Sequence, residues 1–327
     1  MPEVVCFGEA LIDFLAQPAA SCAEPRHFVQ YAGGAPANVA VAVARLGSPS
    51  AFVGMLGRDM FGDFLLESFA AAGVRTDRIV RTAEANTALA FVSLAADGER
   101  QFSFYRPPAA DLLFRPDNFT PACFADAAVF HVCSNSLIEE AIARTTMIGV
   151  TRAREKGALI SVDVNFRPSL WPKQVDPRPR LWDEIREADI VKLCRSELAF
   201  LAEPLGSERA ALDAIRKGRA RLVVVTDGAA PVHYWTQKKS GEVNTFRVTQ
   251  VNATGAGDAF TGGLLHYLIS EGIDAAGFAA FTDDAATVWD AVIFASACGA
   301  LATTRQGAFT AMPTQGQVLR LLGSDRS

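Results

Sequence analysis

Apolar positions along the chain follow two rhythms. Short β-branched runs at 4–7, 51–53, 129–132, 159–164 and 190–193 alternate with amphipathic stretches at 37–46, 61–72, 137–156 and 181–188. This alternation predicts βαβ units and a mostly parallel sheet covered on both faces. Ligands of such sheets bind at the carboxyl ends of the strands. A second rhythm interrupts the first. Residues 87–94 and 100–105 alternate with period two around Asp97-Gly98, which predicts a hairpin, and 12–15 and 28–31 read as two further short strands. Together they predict a small sheet that projects as a lid and carries Phe28, Tyr31, Phe91, Phe102, Phe104 and Tyr105. An apolar face on so small a sheet needs cover, so a homodimer formed through the lids is expected. Toward the C-terminus, 232–235 and 243–248 predict a hairpin, a β-like run covers 245–251, and helices are expected at 258–270, 285–303 and 315–322.

Composition narrows the field. The 327 residues are half apolar, enough for one large α/β domain with an excursion. A net charge of −5 and the lack of any basic run longer than two residues argue against a nucleic-acid surface. The segment 39–44, read as the most apolar, is too short to span a bilayer, and Met1-Pro2-Glu3 opens no secretory leader. A soluble cytoplasmic protein is expected, without a membrane partner. The cysteines Cys6, Cys22, Cys123, Cys133, Cys194 and Cys298 show no C-x-x-C pair and mostly lie in apolar runs, which reads as core thiols.

The densest chemistry lies in Asn252-Ala253-Thr254-Gly255-Ala256-Gly257-Asp258-Ala259-Phe260, between the β-like run and an apolar helix. Gly255 and Gly257 permit close backbone approach, and the helix start offers unpaired amides and the positive end of its dipole. That combination makes an anion hole. Asp258 at its edge suits a base that takes the proton of a hydroxyl attacking phosphorus. The competing reading makes Asp258 a helix N-cap and the glycines a tight turn. Near the N-terminus, Asp13 in Gly8-Glu9-Ala10-Leu11-Ile12-Asp13 and Asn38 in Gly33-Gly34-Ala35-Pro36-Ala37-Asn38 fall on the same rim. An acid and an amide there suit vicinal sugar hydroxyls, although a cap and a glycine turn would use the same residues.

Gly33-Gly34-x-x-x-Asn38 and Thr254-Gly255-Ala256-Gly257-Asp258 resemble the two signatures of the ribokinase-like (PfkB) carbohydrate kinases. The likeness to their fructokinase branch covers nearly the whole chain, through Phe104-Tyr105-Arg106, Ala110-Asp111, Ala188-Asp189-Ile190-Val191-Lys192 and Ala297-Cys298-Gly299-Ala300-Leu301-Ala302-Thr303-Thr304. The resemblance implies a three-layer α/β/α sandwich over residues 1–327, with a β lid from about 10–32 and 86–107. It further implies transfer of the γ-phosphoryl group of ATP to a sugar, most like D-fructose, with Mg²⁺ as cofactor. By the same resemblance, Asp258 is the base and the amides of Gly255, Ala256 and Gly257 stabilise phosphoryl charge. Asp13, Gly33, Gly34, Asn38, Tyr105, Arg106 and Arg167 face the sugar. Thr226, Gly228, Gly255 and Ser296 face the nucleotide, and Glu197 organises Mg²⁺ through water.

Three departures from the family pattern stand out. Cys194-Arg195-Ser196-Glu197 replaces Asn-x-x-Glu, Asn252-Ala253-Thr254 replaces Asp-Thr-Thr, and Ser296 stands where Asn is common. A neutral Asn252 is expected to weaken a monovalent-cation site. Two inward arginines, Arg106 and Arg167, would instead suit a carboxylate, the basis for a 2-keto-3-deoxygluconate kinase. The departures also leave open a sugar-sensing binding protein without turnover.

Overall fold

The computed structural model describes residues 1–17, 26–94, 100–106 and 108–324. In chain order, β1 (Glu3–Phe7) leads into β2 (Leu11–Ala16), β3 (Phe28–Gly33) and α1 (Ala35–Leu46). Then come β4 (Ser50–Gly57), α2 (Met60–Ala72), β5 (Ile79–Thr82), β6 (Ala88–Leu94) and β7 (Arg100–Tyr105). The alternating part continues with β8 (Ala127–Cys133), α3 (Glu140–Glu155), β9 (Leu159–Asp163), α4 (Arg178–Glu187), β10 (Ile190–Cys194), α5 (Arg195–Ala202), α6 (Glu208–Lys217) and β11 (Leu222–Asp227). A hairpin of β12 (Ala230–Thr236) and β13 (Ser240–Val243) precedes α7 (Ala256–Ser270), α8 (Phe278–Asp283), α9 (Ala285–Ala302) and α10 (Gln315–Ser324).

Among the described residues, nine strands form one sheet in the order β13-β12-β11-β10-β9-β8-β1-β4-β5. Every pairing from β11 to β5 is parallel, and the two pairings at the edge, β11–β12 and β12–β13, are antiparallel. Strands buried on both faces are apolar throughout, as parallel sheets require. On one face Phe130, Ile160, Val162 and Val191 meet Ile142, Leu181, Leu198 and Ile215 from α3 to α6. On the other, Val4, Cys6, Val129 and Val224 meet Val39 and Val43 of α1, Phe260, Leu264 and Leu268 of α7, and Val292 of α9. The result is the expected α/β/α sandwich.

The lid is a four-stranded sheet in the order β3-β2-β6-β7. Its two antiparallel pairs are joined by a parallel β2–β6 pairing, Leu11 opposite Ala88 and Asp13 opposite Ala90. The expected Asp97-Gly98 turn and Cys22 lie outside the described residues. Of the other cysteines, Cys6, Cys123, Cys133 and Cys298 are buried free thiols and Cys194 is partly buried, as expected.

Two expectations need correction. The hairpin's second strand ends at Val243, and 244–251 is irregular chain rather than strand, because it must leave the sheet edge and deliver the turn before α7. Segment 39–44 is too short to span a bilayer, but among the described residues helix α9 is not: its 18 residues of mean hydropathy 1.6 meet the length and composition of a membrane span. Its apolar residues pack against α7 and the neighbouring core.

Candidate active site

Helix α7 opens where the chain comes off an irregular segment pinned by hydrogen bonds. The amides of Val251 and Asn252 donate to Thr303 O at 2.8 and 2.9 Å, and Asn252 Oδ1 accepts the Thr254 amide at 2.7 Å. Gly255 then caps the helix at φ 77°, a left-handed conformation that favours glycine, and no side chain caps the helix start. Asp258 is therefore the third helical residue, and the N-cap reading does not apply to it. The first turn leaves amides without intrahelical partners. Ala256 N–H bends back to Ala253 O at 3.3 Å, so the amides of Gly255 and Gly257 are the freer donors for an anion.

Asp258 is buried, and each carboxylate oxygen accepts a hydrogen bond from an amide side chain: Asn38 Nδ2 at 2.7 Å and Asn165 Nδ2 at 3.0 Å. Asn38 reaches it from the first turn of α1. Asn165, just beyond β9, adopts φ 38°, the one left-handed non-glycine backbone among the described residues. Asparagine tolerates that region better than most residues, and such conformations gather at functional sites. The partner atoms Asn38 Oδ1 and Asn165 Oδ1 are buried without any hydrogen bond. Burial, then the neighbouring Asp163, push the Asp258 carboxyl up to about 7, against the opposing Asn38 bond and the charges of Lys192 and Arg167. Asp13, on β2, is also raised to about 7, by burial and by Asp258, with Arg167 opposing. Gly33 admits the Asp13 side chain, whose Oδ2 would sit 2.3 Å from any Cβ at that position. Gly34, at φ 108°, lies against the backbone of Glu9 and Ala10. The Glu9 carboxylate fixes this corner by accepting from Ala35 N at 3.2 Å and Asn135 Nδ2 at 2.9 Å.

Beneath these groups lies a buried polar set in which Glu197 was expected and Asp163, Lys192 and Thr261 were not singled out as functional. Lys192 Nζ pairs with Asp163 at 2.9 and 3.1 Å, and Thr261 of α7 donates to Asp163 Oδ2 at 3.1 Å. Burial pulls the Lys192 ammonium down, but Asp163 and then Glu197 outweigh it and leave it raised. Glu197 accepts from Phe166 N at 2.8 Å and Cys194 N at 2.7 Å, which fixes its carboxylate at the carboxyl ends of β9 and β10. The available signals were Asn165 beside the quoted Arg167 and a lysine inside an otherwise apolar strand.

Other expected residues are placed as follows. Arg167 is exposed above Asp13, Asp258 and Glu197 and acts on all three electrostatically. Thr226 and Gly228 sit at the carboxyl end of β11 and in the turn after it, and Ser296 on α9 keeps a buried hydroxyl with no partner. Tyr105 is not brought to this pocket. Side chains alternate along β7, so Phe104, opposite Ala90 and in line with Asp13, shares the pocket face. Tyr105 lies on the other face, 66% exposed, its ring 5.2 Å from that of Phe91. Arg106 is also otherwise engaged. Its Nε donates to Asp111 Oδ2 at 2.8 Å and its Nη2 to Asn135 O at 3.0 Å, so it braces the lid's return rather than offering a free fork.

The arrangement combines an anion-binding helix start, a buried carboxylate beside it and a lid that brings a second carboxylate. The pfkB family carbohydrate kinase model matches residues 1–315. Fructokinase-1 of Zea mays is 41% identical over 98% of this chain and 97% of its own length. The fructokinase of Xylella fastidiosa, solved with bound ATP, superposes with a TM-score of 0.95 at 55% identity, covering 99% of both chains. A fructokinase double mutant of Vibrio cholerae O395, solved with fructose, ADP and a potassium ion, gives 0.85 at 33% identity over 98% of each chain.

Proposed function

The chain belongs to the pfkB family of carbohydrate kinases, and from that membership we infer that it transfers the γ-phosphoryl group of ATP to a hydroxyl of D-fructose. The observation that carries the reading is the cradle of Asp258. Its oxygens take hydrogen bonds from Asn38 and Asn165, while the other amide atom of each asparagine stays buried and unpaired. With Asp13 across the pocket, these acceptors suit a molecule rich in O–H donors, and a ketose is such a molecule. Buried polar atoms left unpaired are destabilising, so a ligand that satisfies them gains affinity and orientation together.

Asp258 accepts the proton of the attacking hydroxyl. The sugar oxygen forms a bond to the γ-phosphorus as the bond from that phosphorus to the bridging oxygen breaks and ADP leaves with the electron pair. A carboxyl near 7 is well matched to this proton transfer at neutral pH. The amides of Gly255 and Gly257, with Ala256 contributing less, face the charge on the transferring group. Thr226, Gly228 and Ser296 line the nucleotide side. Glu197, its carboxylate oriented by two backbone amides, would hold Mg²⁺ through water, and the ion would supply positive charge to neutralise the phosphates. The lid excludes water that would otherwise compete for the phosphoryl group. Its exposed outer residues Phe28 and Tyr105 support a homodimer formed through the lids, in a soluble cytoplasmic enzyme.

Two of the Arg106 nitrogens are engaged by Asp111 and Asn135, leaving only a buried Nη1 without a partner, so Arg106 and Arg167 do not offer the paired forks a carboxylate favours, which supports fructose over a keto-acid. The test is ADP release with MgATP on D-fructose and on 2-keto-3-deoxygluconate, for the wild type and Asp258→Asn. Turnover on fructose that vanishes in the variant is expected. Turnover confined to the keto-acid overturns the substrate assignment, and equal turnover in the variant overturns the base.

A further inference from the structure

Gly257 occupies the second position of α7 with an ordinary helical backbone, where alanine would serve a helix better. What fills the space of its missing side chain explains the glycine. Lys192 Nζ lies 2.7 Å from where a Cβ would stand. The lysine rises from β10, pairs with Asp163 of β9, and shares that carboxylate with the Thr261 hydroxyl of α7 itself. Lysine and aspartate are both buried. Such a pair is weak evidence for stability, because apolar residues of similar volume often serve a core as well. Its position against a helix start that offers free amides calls for another explanation.

The charged groups facing Asp258 come from several elements. Asp163 of β9 opposes its ionisation, while Lys192 of β10 and Arg167 from the loop after β9 favour it; Asp13 of the lid is the further carboxyl on this face, and Asp258 raises it. Asn38 and Asn165 are neutral donors. Of the two cations, Arg167 is exposed and screened by solvent, whereas Lys192 is buried. Resting on the kinase reading above, we propose that Lys192 is a positioning residue for phosphoryl transfer: its ammonium, lodged beneath the first turn of α7, holds Asp258 ionised and adds a fixed positive charge behind the amides of Gly255 and Gly257.

Lys192→Met removes the charge and keeps most of the volume. The double variant Lys192→Met/Asp163→Asn also removes the unpaired buried aspartate, so it decides the matter if the single variant fails to fold. In both, kcat should fall by about 10² to 10³, as for loss of one donor to transition-state charge; in the double variant the fall comes only from the charge lost behind the amides, because removing Asp163 also removes the stronger opponent of Asp258 ionisation. Fructose affinity by calorimetry should stay within about fivefold, and in the single variant the acid limb of the kcat profile should move to higher pH. Recovery of kcat in the double variant to within about fivefold of wild type would show a purely structural pair and overturn the proposal. Binding of MgADP with fluoroaluminate separates this inference from the substrate assignment, because it needs no sugar turnover. If the wild type leaves fructose untouched, the kinase assignment to fructose fails. A drop of about tenfold or more in fluoroaluminate-complex affinity still supports Lys192, and unchanged affinity overturns it.

Discussion

Asp258→Asn should make the protein more stable while removing its activity. The substitution preserves shape and replaces a buried carboxylate by a neutral amide. The Asp258 carboxyl is raised from 3.8 to about 7. That is about three pH units at about 1.4 kcal/mol each, or roughly 4 kcal/mol of native-state cost once the group is ionised. The sign follows from the direction of the shift. A carboxyl that binds its proton more tightly when folded gives full stability below about pH 4 and loses it as pH rises through about 7. The neutral amide of the variant never bears that cost. One of its two amide neighbours must flip to avoid opposed donors, and both Asn38 and Asn165 have a free oxygen to present. Urea unfolding of the ligand-free protein at pH 8 should therefore show the variant ahead by up to about 4 kcal/mol, with the gap closing toward pH 4.5. Over the same samples kcat should fall by about 10² to 10⁴. A lead over the wild type no larger at pH 8 than at pH 4.5 would refute the burial argument. Turnover within about tenfold of wild type would refute the assignment of the base.

Four further outcomes follow from the same structure. Asp258 is raised to about 7 by burial and Asp163, and Asp13 to about 7 by burial and Asp258, so the wild-type rate should climb from pH 6 to 8 as the two ionise, and a flat profile over that range would contradict the site's electrostatics. Asp13→Asn should raise the KM for fructose by about 10- to 100-fold with a smaller effect on kcat, the loss of a hydrogen bond to a charged group; an unchanged KM removes Asp13 from the sugar. Glu184 of α4 is buried with both oxygens unpaired and raised to about 8, chiefly by burial, so its stabilising effect is lost as pH rises from about 4.5 through 8. Glu184→Gln should raise the melting temperature at pH 8.5 and leave it unchanged near pH 4.5, and equal shifts at both would show that charge is not the cause. Replacing Na⁺ by K⁺ should change the wild-type rate little, and Asn252→Asp, which can keep the bond to Thr254 N–H, should increase that response; strong K⁺ activation of the wild type would overturn the role given to the neutral side chain.

The layers of the fold and the two glycine-rich turns could be read from hydrophobic period and motif, because both are local properties of the chain. The residues missed owe their roles to register. Asp163 and Lys192 meet only because β9 and β10 pair in parallel with those two residues opposite one another. Nothing in the spacing of 29 residues announces it. A lysine in Ile190-Val191-Lys192-Leu193, a strand buried on both faces, was the available signal, since an unpaired charge there is untenable. Asn165 was hidden for a different reason: a left-handed turn by a single asparagine leaves no periodic trace. Tyr105 and Arg106 show the converse limit. Adjacent in sequence, they part company in the structure, one on the outer face of the lid and one buried against Asp111.

The hydrogen bond between Asn38 and Asp258 spans 220 positions of the chain. During synthesis Asp13 of β2 and Asn38 of α1, the groups proposed to face the sugar, emerge early, and the strands of the lid are complete once β7 has appeared. The base and the anion-binding turn arrive only with the last quarter of the polypeptide. A chain that stops short of α7 lacks the proposed base and anion-binding turn together with the helix that covers α1 and one face of the sheet, so it has no means of consuming nucleotide. Turnover reports that synthesis has passed α7 and that both ends of the chain have met.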